Sequence, residues 1–210
     1  MNPASTPNPP AFRAIPDLLR EHARAEPVRR ALAVCEGGAI RAIDYATLDA
    51  RMDRVAAALQ RDGLQAGDAI ALCAAASIDY AAIYLGALRA GVVVAPLAPG
   101  STPEAFARML VDAGARRLLT DAGSADTVGS AGLGSVPRIS LDGSAAGQPL
   151  EDWLAAPGSH PAPVAIEPGW PFNIIYSSGT TGAPTGIVQS HGMRWAHVTR
   201  GRATATGRLR

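Results

Sequence analysis

The sequence predicts an α/β fold: a layered, mostly parallel sheet flanked by helices. Three observations carry that expectation. Residues 68–73 and 91–96 are short continuous apolar runs, the pattern of strands buried on both faces. A helix is expected between them over residues 78–89, and strand, helix and strand within about thirty residues form a βαβ unit with parallel pairing and a right-handed crossover. The alternation then continues, with a helix over 103–113 that has Pro103 at an early turn and Gly114 at its end, followed by a strand over 117–120.

The remaining elements follow in chain order. Residues 15–25 read as a short amphipathic helix, with Asp17 near its start and Pro27 closing it. Two strands, 31–35 and 39–43, are joined by Glu36, Gly37 and Gly38, and a glycine pair in that setting signals a hairpin. Leu48, Met52, Val55, Ala56 and Leu59 lie at helical spacing, which predicts a helix over 45–61 with Asp44 as its N-cap and Gly63 past its end. Residues 121–147 are rich in Gly, Ser and Ala, with a strand over 136–141 that Pro137 assigns to a sheet edge. Trp153 and Leu154 belong to a short helical turn, and residues 158–168 form a proline-rich connector.

Composition bounds the possibilities. A chain of 210 residues, 48% hydrophobic and 18% charged, is long enough for one substantial core or two small ones and is globular in character. All 19 basic residues are arginine and the net charge is +1, so nothing points to nucleic acid or an acidic membrane as partner. Cys35 and Cys73 both sit in apolar runs and are expected to be small, buried and reduced, not a disulfide framework. Residues 1–14 are expected to be a flexible, proline-rich lead-in with no signal-peptide pattern. The most apolar region, 69–97, is interrupted by Asp79, Arg89, Gly91 and Pro96 and does not read as a transmembrane segment. The expected location is cytoplasmic.

One stretch carries chemistry. Residues 172–176 have the β-branched and aromatic character of a buried strand, which stops at Ser177, Ser178, Gly179, Thr180, Thr181 and Gly182. Four hydroxyls and two glycines there can turn consecutive N–H groups toward a phosphate. Composition alone leaves an ordinary surface loop open, and such clusters between apolar runs are usually that. The Walker pattern is absent for want of a lysine, and neither a dinucleotide fingerprint nor a nucleophile elbow is present.

The order of residues from Tyr176 to Val188, Tyr-Ser-Ser-Gly-Thr-Thr-Gly-Ala-Pro-Thr-Gly-Ile-Val, resembles the phosphate loop of the adenylate-forming enzymes, the AMP-dependent synthetases and ligases that include acyl-CoA synthetases. Residues 43–51 and 86–97 are similar to two earlier segments of that family, in the expected order, and the likeness spans roughly residues 15–198. The resemblance implies the first half of that family's large N-terminal domain. It also implies activation of a carboxylic acid with ATP and Mg2+ as an acyl-adenylate, then transfer to a thiol such as CoA. Ser177, Ser178, Gly179, Thr180, Thr181, Gly182 and Thr185 would cradle the phosphates. Thr185 stands where the family usually has lysine, which keeps a hydroxyl and loses a point charge.

His191, Trp195 and His197 are expected to be packing residues, and no catalytic residue or metal-ligand spacing is assigned. The family's adenine, ribose and magnesium contacts and its catalytic lysine have no counterpart in these 210 residues. The expectation is therefore an N-terminal fragment, incomplete as a catalyst, with a separately encoded C-terminal half as its potential partner. A non-catalytic nucleotide- or protein-binding module is the alternative. Residues 199–210 carry four arginines without apolar periodicity and read as an atypical basic tail, either solvated or the product of a changed reading frame.

Overall fold

The computed structural model describes residues 10–36, 38–131, 134–177 and 185–206. The chain begins with helix α1 (Ile15–Ala25) and a hairpin of β1 (Arg30–Glu36) and β2 (Ala39–Asp44). Helix α2 (Tyr45–Arg61), β3 (Ala69–Cys73), α3 (Ile78–Arg89), β4 (Val93–Pro96), α4 (Pro103–Asp112) and β5 (Ala115–Thr120) follow. A 3-10 turn leads into α5 (Ala125–Ser130), then β6 (Arg138–Ser140), β7 (Gln148–Pro149) and α6 (Leu150–Trp153). The chain continues through β8 (Pro171–Ser177), β9 (Thr185–Ser190) and α7 (His191–Thr206).

Local chemistry explains the boundaries. Asp44 caps α2 by accepting from the Thr47 amide at 2.8 Å, and Ser77 and Thr102 do the same for α3 and α4. Gly38 turns the first hairpin with φ of 82°, a conformation that a Cβ would disfavour.

Seven strands form the main sheet in the order β7-β6-β5-β3-β4-β8-β9, parallel throughout except for the antiparallel pair β8-β9. Central β3 is wholly buried, and its side chains alternate between two layers. Ile70 and Leu72 pack with Val55 and Leu59 of α2, Ile83 and Ala87 of α3 and Trp153 of α6. Ala71 and Cys73 face Phe106 and Met109 of α4 and Val128 of α5. Each fully buried side chain of Leu or Ile size contributes ~1.5–3 kcal/mol, so this two-faced strand anchors the molecule. The expected layered, mostly parallel sheet is the one observed.

Several details differ from the sequence reading or add to it. β6 is not an edge strand, because Pro137 precedes its first paired residue and short β7 lies outside it. The Pro137 carbonyl accepts from Leu118 at 3.0 Å, and its missing N–H falls outside the ladder. Cys73 is buried but Cys35 is exposed, since the β1-β2 hairpin is a separate two-stranded sheet with an open face. Within the proline-rich lead-in, Ala14 is buried and the Pro10 carbonyl accepts from the Trp195 indole at 3.2 Å. The basic stretch from Thr199 continues α7 as far as Thr206, because a nucleated helix propagates without an apolar stripe. Finally, β9 lies inside what the sequence presented only as a loop motif.

The connector from α6 to β8 is strapped to α2. Asp53 reaches His160 Nδ1 at 2.7 Å, Gln60 exchanges two hydrogen bonds with Ala162, and Arg54 donates to the Ala155 carbonyl. Burial pushes the Asp53 carboxyl up, but the His160 hydrogen bond and the Arg89 and Arg20 charges outweigh it and hold it low. These straps fix where β8 enters the sheet.

Candidate nucleotide-loop site

The site is built on the β8-β9 hairpin. β8 pairs parallel with β4, so its carboxyl end lies on the same side of the sheet as those of β3, β5 and β6. Ligands of open α/β sheets bind outside that edge. Ser177 closes β8 and pairs with Thr185, the first residue of β9, and both are exposed. The ends of the sequence-predicted cradle are therefore held opposite one another. Ser178, Gly179, Thr180, Thr181 and Gly182 lie outside the described residues.

Immediately inside those ends, Tyr176 pairs with Gly186. The Tyr176 hydroxyl donates to Asp112 Oδ2 at 2.7 Å and lies 3.0 Å from the Met109 carbonyl at the end of α4. Burial pushes the phenol's pKa up, and the adjacent Asp112 carboxylate reinforces the shift. A Cβ on Gly186 would lie 3.0 Å from Asp112 Oδ2 and 3.1 Å from Tyr176 Cε1, so glycine leaves room for the phenol. Asp112 escaped sequence reasoning because its partner is 64 residues away.

The same sheet edge carries a second polar group. Asp121 accepts from the Ala75 amide at 2.7 Å, and Ser124 donates to the Cys73 carbonyl at 2.8 Å, tying the ends of β3 and β5. Asp142 accepts from Ala122, Ser140 and Ser144, and the Ala122 amide leads the bonds that hold its carboxyl well below the usual range. These bonds are internal to the loops and brace the edge.

At the hairpin's other end, His191 opens α7, with its amide on the Trp170 carbonyl at 3.0 Å. Its ring is buried edge-on to Phe172 with centroids 5.0 Å apart, and Nδ1 has no partner among the described residues. Burial pushes its pKa down to about 4. This is the packing role expected for His191. Trp195 lies against the N-terminal segment, consistent with the same expectation, whereas His197 is exposed on α7 and does not pack.

Among the described residues, no group of three or more His, Cys, Asp or Glu could hold a metal ion. Magnesium usually binds through few carboxylates plus substrate phosphates. No described helix is long and apolar enough to cross a membrane.

Comparison with known proteins agrees with this geometry. The model of the AMP-binding enzyme family matches residues 19–207, a match that takes in the whole of α7. A fatty acid–[acyl-carrier-protein] ligase, ScoC of Streptomyces coeruleorubidus, is 30% identical over 87% of this chain and 34% of its own length. A 3-hydroxybenzoate–CoA ligase of Aromatoleum sp. (strain CIB) is 32% identical over 74% of the chain and 30% of its own length. The crystal structure of VinN superposes with a TM-score of 0.77 at 25% identity, over 93% of this chain and 50% of VinN. A Mycobacterium tuberculosis fatty acyl CoA synthetase gives 0.71 at 25% identity, over 85% of this chain and 34% of its own. The chain thus spans about a third of the first two relatives and half of VinN. It belongs to the family of AMP-binding enzymes, with acyl ligases and synthetases among its relatives.

Proposed function

We propose that this chain carries the phosphate-binding part of an ATP-dependent carboxylate ligase. In that reaction a carboxylate oxygen attacks the α-phosphorus of ATP, the bond to pyrophosphate breaks, and an acyl-adenylate forms. A thiol sulfur, of CoA or of a carrier protein, then displaces AMP. Such chemistry depends mainly on positioning and on neutralising charge. Ser177, Ser178, Gly179, Thr180, Thr181, Gly182 and Thr185 would supply hydroxyl and backbone donors to the β- and γ-phosphates. Magnesium would enter with the nucleotide.

The observation that carries this reading is the pairing of Ser177 with Thr185 at the carboxyl edge of the parallel strands. It holds both ends of a hydroxyl- and glycine-rich connection where α/β sheets take ligands. Thr185 weakens the cradle, because a hydrogen bond from a charged donor is worth ~1.5–3 kcal/mol. The remaining groups for catalysis would come from the rest of a large domain, on the same or a separate polypeptide, and the expected compartment is the cytoplasm.

Calorimetry with ATP·Mg and AMP tests the proposal on the chain itself. Weak ATP binding is expected, with Thr185→Lys tightening it about ten- to a hundredfold. ATP–pyrophosphate exchange should be absent from the 210 residues alone. If neither the wild type nor Thr185→Lys binds ATP, the phosphate-loop assignment fails. Binding that never supports exchange, even with the remaining domain supplied, would indicate a non-catalytic nucleotide-binding module instead.

A further inference from the structure

We propose that Asp112 is a positioning residue for the β8-β9 hairpin, acting through the Tyr176 hydroxyl, with Gly186 conserving the space the contact needs. The proposal rests on the nucleotide-loop reading only for what the positioned ends bind. Three observations converge on it. The Tyr176 hydroxyl sits between Asp112 Oδ2 at 2.7 Å and the Met109 carbonyl at 3.0 Å, so one phenol joins the hairpin to the last turn of α4. Gly186 stands opposite Tyr176 in the register, and a Cβ there would press on Asp112 Oδ2, Ile174 Cγ2 and Tyr176 Cε1 together, at 3.0 to 3.1 Å. Asp112 is also the last residue of α4, where the carbonyl end of a helix disfavours a carboxylate. The phenol donor offsets that unfavourable placement.

The contact is one residue inside Ser177 on one strand and one residue inside Thr185 on the other. Fixing Tyr176 and Gly186 against α4 therefore fixes the separation and direction of both cradle ends. β8 is otherwise registered in the parallel sheet against β4 at Asn173, three residues before Tyr176 and about 10 Å along the strand. Without the Asp112 contact the carboxyl half of the hairpin would keep its antiparallel ladder and the packing of Ile174 and Tyr176 on the α4-side core, but lose the side-chain tie to the last residue of α4.

Two readouts on the intact chain test this. Amide hydrogen exchange at Tyr176, Ser177, Gly186 and Ile187 should accelerate about tenfold in Tyr176→Phe and in Asp112→Ala, with β3 and β5 amides unchanged. The double variant should be no faster than either single one, and Asp112→Asn, which keeps an acceptor, should stay near the wild type. ATP affinity measured by calorimetry should fall in the same order. Equal exchange in all variants, or additive effects in the double variant, would overturn the proposal. If the wild type binds no ATP, the nucleotide reading fails by itself, and the exchange rates still decide whether Asp112 positions the hairpin.

Discussion

His191 shows how one side chain can give this protein a pH signature separate from its carboxylates. The ring is 3% exposed, edge-on to Phe172, whose face also lies 5.6 Å from the Arg194 guanidinium. Burial lowers its folded pKa to about 4, whereas an unfolded histidine titrates near ~6.5. Between those values the unfolded chain binds the extra proton, so stability rises with pH there and is lost as pH falls from 6.5 toward 4. At ~1.4 kcal/mol per pH unit, the wild type should lose about 2 kcal/mol between pH 6.5 and 5. Carboxylates with depressed pKa, such as Asp53 and Glu151, withdraw their support only below their unfolded values near ~4. Denaturant melts at pH 7, 6 and 5 should therefore show a slope that His191→Gln abolishes, and identical slopes in both proteins would refute the assignment. The sequence placed His191 after the loop and read it as structural. Its burial depends on the connector turning at Pro168 and Trp170, a contact no local pattern encodes.

The longer helices are legible because their signals are local, and so is the exposed β1-β2 hairpin through its glycine pair, whereas short α5 lies in a Gly/Ser/Ala-rich stretch that carries no such signal. Spacing and caps placed α1 and α2 residue for residue, since Asp44 and the Leu48-Met52-Val55-Leu59 stripe act within one turn. β9 was not anticipated: Ile187 and Val188 stand in an exposed strand next to glycine, and its pairing with β8 is set across the hairpin. Nor did any pattern reveal why Gly86 occurs in α3. A Cβ there would lie 2.6 Å from Val55 Cβ and 2.9 Å from the Met52 carbonyl, so the glycine sets how closely α3 approaches α2. Gly86→Ala gains helix propensity of about 1 kcal/mol but must push the two helices apart. Overpacking of this kind costs about 1–3 kcal/mol or more, and contact with a backbone oxygen places it at the upper end. The variant should melt several degrees lower, ~2–4 °C for each net kcal/mol lost. An unchanged or raised melting temperature would show that the helices separate freely.

At the scale of the whole molecule, the two ends of the sheet differ. β7 ends one side with two residues, whereas β9 ends the other with six. Among the described residues β9 has a strand on one side only, and Ile187 and Val188, which point to opposite faces, are 50% and 56% exposed. Met193 and Val198 on α7 add further exposed apolar surface, so four of the exposed large hydrophobic side chains fall within twelve residues. An unprotected edge beside such a patch templates association. Isolated exposed side chains do not, which supplies the control: Val28 at 86% and Ile40 at 74% are more exposed but stand away from this edge. Sedimentation velocity of the 210-residue chain should show concentration-dependent association that the pair Ile187→Lys and Val188→Lys suppresses. Both substitutions are on exposed side chains and should leave the stability within about 1 kcal/mol of the wild type's. Lysines at Val28 and Ile40 should leave association unchanged. If those lysines suppress it equally, added charge and not the β9 edge controls association, and the edge assignment is wrong. If only the β9 pair does so, the end of the sheet that carries the β8-β9 hairpin is also the molecule's adhesive surface, and the nucleotide binding proposed above would compete with assembly for the same hairpin.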